Sequence, residues 1–138
     1  MAISRGKILL TVLVALIVCL GAGFIWGNSG RSTLQTTLDD AKLQLDLAEA
    51  RGESLEGRVS LYNNNFGEAS RHFENAKAPL ERLKERYGDA GKRDAATSID
   101  SASHQVGEAQ QMAGKLDPAA NNKAGQALEA IKAASAPK

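Results

Sequence analysis

Few residues in this chain are of a type and spacing that could do chemistry. There are two histidines, His72 and His104, and one cysteine, Cys19. Acid–base or nucleophilic catalysis would join a histidine to a hydroxyl or thiol and an orienting carboxylate. His104 follows Ser98, Ser101 and Ser103, but no glycine-flanked elbow presents a nucleophile and no acid is arranged with them. His72 lies between Arg71 and Phe73 in a helical pattern and is expected to be solvated. Metal ligation would want His or Cys at helical spacing with carboxylates, and the sequence offers no such set. Asp39, Asp40 and Asp46 read as an exposed acidic helix face. With no strand expected, no glycine-rich phosphate loop can follow one. The expectation is a protein that is not an enzyme, with no catalytic, metal or cofactor-binding residues.

The elements that carry these residues begin with an apolar run. Ile8 to Trp26 holds 19 residues and no charge. As a helix it would rise about 28 Å, against roughly 30 Å for the hydrocarbon core of a bilayer. The run predicts a transmembrane signal anchor over 8–26, preceded by a short cytoplasmic N-terminus at 1–7. Arg5 and Lys7 flank its start and Trp26 sits where an interfacial aromatic belongs. The bias of positive charge predicts a cytoplasmic N-terminus and an extracytoplasmic C-terminal domain, periplasmic in a bacterium. Cleavage near Gly21-Ala22-Gly23 is the alternative, but Phe24, Ile25 and Trp26 continue the run past it. Cys19 lies inside the run and reads as a small apolar side chain. Acylation there is disfavoured by the branched Leu16-Ile17-Val18 before it, and a lone cysteine gives no disulfide framework.

The remaining length suits one small domain. The net charge of the whole chain is +1, and beyond residue 27 acids outnumber bases by one. That balance argues against nucleic acid as a partner, since such a protein would usually show a basic face.

Residues 27–31 read as a flexible joint containing Gly27 and Gly30. A helix then starts at Ser32, with Gln35 in capping-box spacing. Leu34, Leu38, Ala41, Leu45, Ala48, Gly52, Leu55, Val59 and Tyr62 alternate steps of four and three. The average period of 3.5 is that of a coiled-coil seam. Leu43, Leu47 and Ala50 form a second apolar strip, and a bend or break is expected near Gly52. Asn63-Asn64-Asn65 closes this helix, and Asn65 with Glu68 opens the next. The second helix carries Phe66, Ala69, Phe73, Ala76, Leu80, Leu83 and Tyr87, with a kink or stop expected near Ala78, before Pro79. Gly88 to Arg93 breaks the pattern. Asp94 is the expected N-cap of a third helix with Ile99, Ala102, Val106, Ala109, Ala113 and Leu116 on one face. Asp117-Pro118 restarts the chain into a fourth with Ala124, Leu128 and Ile131 inward. The fold class is therefore all-α: an N-terminal transmembrane helix followed by two antiparallel helical hairpins over 32–134, with a tail at 135–138. The second hairpin has only alanine-sized residues at most inward positions and is expected to be the less stable.

The run from Ala50 to Leu80, with Gly57, Phe66, Ala69, Phe73 and Ala76, resembles a tetratricopeptide repeat. Glu53, Ser60 and Glu81 stand where that pattern has other residues, and Pro79 comes two residues before its closing proline. A poorer echo ends at Leu116-Asp117-Pro118. The resemblance implies an interaction module binding a peptide along Arg51, Ser54, Arg58, Leu61 and Tyr62. Arg51 and Arg58, seven apart, could grip a carboxylate with forked hydrogen bonds. The functional expectation is a membrane-anchored helical scaffold for an unidentified protein or peptide partner. The alternative is a spacer or structural envelope component that self-associates through the Leu34–Tyr62 seam as a coiled coil.

Overall fold

The computed structural model describes the backbone of residues 5–136 and the side chains of residues 13–19 and 33–136. Four helices follow in order: α1 (Arg5–Tyr62), α2 (Phe66–Asp89), α3 (Arg93–Gly114) and α4 (Ala120–Ser135). No strand occurs among the described residues, so the protein is all-α. Its contacts divide it into two units after Asp40.

The turns are built from the residues that local chemistry favours. Asn64 takes the left-handed conformation (φ 56°), which asparagine tolerates. The Asn65 side chain then accepts the Glu68 backbone N–H at 3.3 Å, opening α2. Gly91 supplies a positive φ of 69° before α3. The N-cap position of that helix is Lys92, whose side chain makes no capping bond, and not the expected Asp94, which lies in the first turn where a carboxylate complements the positive helix end. Asp117 Oδ1 accepts the Ala119 N–H at 2.9 Å, and α4 starts at Ala120. Pro79 neither stops nor splits α2, whose helix runs on to Asp89 with the proline ring fully buried. Likewise α1 carries no break at 27–31 or at Gly52.

The unit from Ala41 onward is a four-helix bundle with up-down-up-down topology. Asp46 meets Arg82 and Arg86, while Glu53 meets His72, so α1 and α2 run antiparallel. Lys84 reaches Asp100 and Gln110 reaches Glu74 between α2 and α3. Lys123 reaches Glu108 between α3 and α4. The last helix returns beside α1, where Asn121 takes a bond from Arg58. All four helices feed one core, with Phe73, Leu80, Leu83, Ile99 and Val106 its largest fully buried apolar side chains beside Pro79. The two expected hairpins are thus halves of a single bundle.

The expected transmembrane helix over 8–26 is not upheld: no helix among the described residues is long and apolar enough to cross a membrane. The side chains of 8–12 and 20–26 lie outside the described residues. The described side chains of that stretch, 13–19, are exposed. The single-pass topology, with its cytoplasmic N-terminus and extracytoplasmic domain, falls with the span.

The side of α1 that enters the core also differs from the expected seam. Asp46, Leu47, Ala50, Ser54, Gly57, Ser60 and Leu61 are buried, whereas Leu45, Leu55, Val59 and Tyr62 are exposed. The reason is volume. The facing surface of α2 is filled by Phe73, Leu80, Leu83 and Tyr87, and the small Ala50, Ser54, Gly57 and Ser60 at the middle of the buried strip let α1 approach it. At Gly57 a Cβ would stand 2.8 Å from Cδ1 and Cζ of Phe73, and nearer still to Cε1.

Candidate functional site

The polar cluster between α1 and α2 is mutually satisfied, whereas on α3 the buried Gln105 Oε1 has no hydrogen-bond partner among the described residues. Asp46 is buried, not part of an exposed acidic face, and its side chain is 6% exposed. Its two oxygens accept Arg82 Nε at 2.7 Å and Arg86 Nε at 2.9 Å. Arg82 also donates to Glu49 at 2.6 Å, and its bond to Asp46 raises its already high pKa. Every charge here faces an opposite one, so the cluster ties α1 to α2 and offers no free group to a substrate. Asp39 and Asp40 are exposed.

His72 is half-buried, not solvated. Its Nδ1 lies 2.8 Å from Glu53 Oε2, and Nε2 lies 3.5 Å from Glu68. Glu53 also accepts Asn75 Nδ2 at 3.3 Å. A Glu–His pair could orient a general base, yet both ring nitrogens here face carboxylates and no hydroxyl or thiol joins them. His104 is open to solvent, 3.7 Å from Glu108. Ser98 donates to the Asp94 carbonyl one turn back at 3.0 Å, a bond within its own helix. No group of three His, Cys, Asp or Glu side chains among the described residues could hold a metal ion.

A groove of about 770 Å³ lies between Leu43 and Leu47 of α1, Tyr87 of α2, the turn at Lys92 and Ala134 of α4. Its floor is apolar, and burial pushes the Tyr87 phenol pKa up. Lys92, Arg93 and Asp94 line it beside these apolar residues.

The five residues implied as a partner-binding face are separated by the fold. Ser54 is fully buried and donates to the Ala50 carbonyl at 2.8 Å, and Leu61 belongs to the core. Arg51 and Tyr62 are exposed. Arg58 is half-buried, donating Nε to Asn121 at 2.8 Å while its Nη2 lies 3.4 Å from the Tyr62 hydroxyl. Hydrogen bonding to Asn121, then to Arg58, lowers the Tyr62 pKa. The structure therefore brings Arg58, Tyr62 and Asn121 together and leaves Arg51 apart. Asn121 was not singled out by sequence, since its helix joins the group only through the return of α4.

The surface with the clearest pattern is the seam itself. Leu45 is 65% exposed, Leu55 42%, Val59 51% and Tyr62 67%. Ala41 and Ala48 between them are exposed, and Gly52 is half-exposed. In heptad terms these residues occupy a and d: Leu45, Gly52 and Val59 at a, and Ala41, Ala48, Leu55 and Tyr62 at d. The bundle takes b, c and f instead, through Asp46, Leu47, Ala50, Ser54, Gly57, Ser60 and Leu61. One helix thus carries two apolar faces, one consumed by the core and the other left to solvent. An apolar stripe on that scale usually marks an interaction site.

No protein-family model matches this chain, and no curated protein or solved structure shows significant similarity to it.

Proposed function

We propose that this protein works by binding: a small helical bundle that presents the open seam of α1 to an α-helical partner. The observation that carries this reading is the exposure of Leu45, Leu55, Val59 and Tyr62 at coiled-coil spacing on a helix whose other face already holds the core. Helix-in-groove and coiled-coil recognition read such anchors at steps of three and four residues. The mutual pairing of Asp46 with Arg82 and Arg86 supports a structural role for that cluster, in keeping with a binding protein. The test is a photo-cross-linking residue placed at Leu55 in the full chain, compared with one at exposed Gln111 on α3. The expected result is an adduct from position 55 that Val59→Asp abolishes, with none from 111. Equal labelling from both positions would overturn the reading.

A second reading, a peptide-binding module of the tetratricopeptide kind, is supported by the close crossing of Gly57 and Phe73. With Ser54 and Leu61 inside the core, an acidic peptide would depend on Arg51, Arg58 and Tyr62. Arg51→Ala with Arg58→Ala should then abolish its capture at an unchanged melting temperature; unchanged capture removes this reading.

A further inference from the structure

We propose that the occupant of the seam is a second copy of this chain, and that the two α1 helices pair in parallel and in register. The proposal rests on the binding role argued above and adds the partner's identity and orientation. Three observations carry it.

The first is the spacing. Strict alternation of four and three residues from Ala41 to Tyr62 gives a period of 3.5, which only a supercoiled partner helix matches along its length. The same steps continue in the sequence back to Leu38 and Leu34. Small Ala41, Ala48 and Gly52 interrupt the larger residues, so identical helices in register could approach closely at those layers.

The second is the placement of the bundle. The core draws on b, c and f, which in a two-stranded coil are the positions turned away from the partner helix. Residues 41–62 of each copy could meet along a and d with the two bundles outward. The contact would be isologous and close as a two-fold dimer.

The third is charge. Position g holds Gln44, Arg51 and Arg58, and position e holds Lys42, Glu49 and Glu56. Parallel pairing sets each g residue against the e residue five positions further on in the partner. Arg51 then meets the partner's Glu56, and the two-fold axis repeats the pair. Arg51 and Glu56 are both exposed, and neither makes an ion pair among the described residues. Antiparallel pairing instead sets g against g and e against e, placing Arg51 opposite Arg58 and Glu49 opposite Glu56. The e and g charges set orientation in coiled coils, and here they favour the parallel arrangement.

The experiment is sedimentation of the purified full chain over a concentration series. A dimer is expected, and Leu45→Asp with Val59→Asp should weaken it by on the order of 100-fold or more, because carboxylates would be buried in the seam. Both positions are exposed in the single chain, so the bundle should keep its helical spectrum. Arg51→Glu should weaken the dimer about tenfold, and Arg51→Glu with Glu56→Arg should recover most of that loss. For orientation, Val59→Cys in a Cys19→Ser background should form a disulfide between equivalent positions on oxidation. In the same background with Ala48→Cys added, a cross-link from position 48 to position 59, with none between equivalent residues, would overturn the parallel register. A chain that stays monomeric at about 100 μM, or a dimer indifferent to the seam substitutions, would overturn self-association. In the monomeric case, an adduct from Leu55 to a different protein would leave the binding role standing while removing the second copy. Equal labelling from 55 and 111 would remove both.

Discussion

The two halves of the bundle are held by different means. Between α1 and α2 the contacts are large and few. Phe73 lies against Gly57, Leu80, Leu83 and Tyr87 fill the space beside it, and Arg82 and Arg86 close on Asp46. Between α3 and α4 the buried residues are Ala102, Ala109, Ala113, Ala120, Ala124, Ala127 and Ala134, with only Ile99, Val106 and Ile131 larger. The first half depends on volume being present. The second depends on volume being absent, because alanine-lined helices gain contact by close approach. Loss of volume should therefore harm the first half most and gain of volume the second, with Gly57 the one place in the first half where added volume also meets a ring.

The largest effect belongs to Phe73. It is fully buried, and its ring fills the space that Gly57 leaves. Phe73→Ala should lower the unfolding free energy by about 3–5 kcal/mol in denaturant titration. A loss near that of an exposed site would show that the first half is not organised around this ring.

Asp46 comes next. Removing it strands Arg82 and Arg86 beside the core, although both are partly exposed, at 42% and 32% of their side-chain surface. Breaking a buried ion pair costs more than a surface one, and solvent access to the arginines trims the cost to about 2–3 kcal/mol for Asp46→Ala. Asp39→Ala should leave the melting temperature unchanged, since that residue is exposed. Equal effects from the two aspartates would erase the distinction between them.

The same aspartate shows where the sequence was legible and where it was not. On α2 the apolar spacing picked out Phe66, Ala69, Phe73, Ala76, Leu80, Leu83 and Tyr87, and all are buried but Phe66, which is half-buried at the helix start. On α3 it picked out Ile99, Ala102, Val106, Ala109 and Ala113 correctly, but Leu116 ends exposed past the helix in a left-handed turn. On α1 there were two apolar strips, and periodicity alone cannot say which one a neighbour covers. That choice depends on the bulk of α2. Asp46 looked like a surface acid because its justification lies 36 and 40 residues away, in Arg82 and Arg86. One signal was available: Asp46 sits on the strip of Leu43, Leu47 and Ala50, and two arginines one turn apart on α2 could meet it. Of the candidate site, the seam's spacing was readable, while its exposure depended on the same choice of face.

In the second half, Ala109→Leu should destabilise by about 1–3 kcal/mol by forcing α3 and its neighbours apart. The matching addition in the first half is Gly57→Ala, which meets the Phe73 ring directly and should cost a similar amount. Tolerance of Ala109→Leu, seen as an unchanged melting temperature, would mean that the alanine-lined half is loosely packed.

The smallest effect separates the halves by pH. Lys123, first by its hydrogen bond and then by its charge, holds the Glu108 pKa below the ordinary glutamate value. Lys77, and after it Gln110, does the same for Glu74. A carboxylate whose folded pKa lies below its unfolded one adds stability that is complete above the unfolded value. That stability is lost as pH falls through the depressed folded value. Glu74 is exposed and the side chains of Glu108 and Lys123 are about a third exposed, so the effects should be modest and weakened further by salt. Glu108→Gln should lower the neutral-pH melting temperature slightly and flatten its decline below about pH 4.5, the ordinary value, because the stability lost in acid is then already missing at neutral pH. Lys123→Met should flatten the same limb, because it removes the partner that lowers the pKa. If the acid limb keeps its slope in both variants, the α3–α4 half owes its acid sensitivity to other groups, and the ion pair between Glu108 and Lys123 does not help hold it.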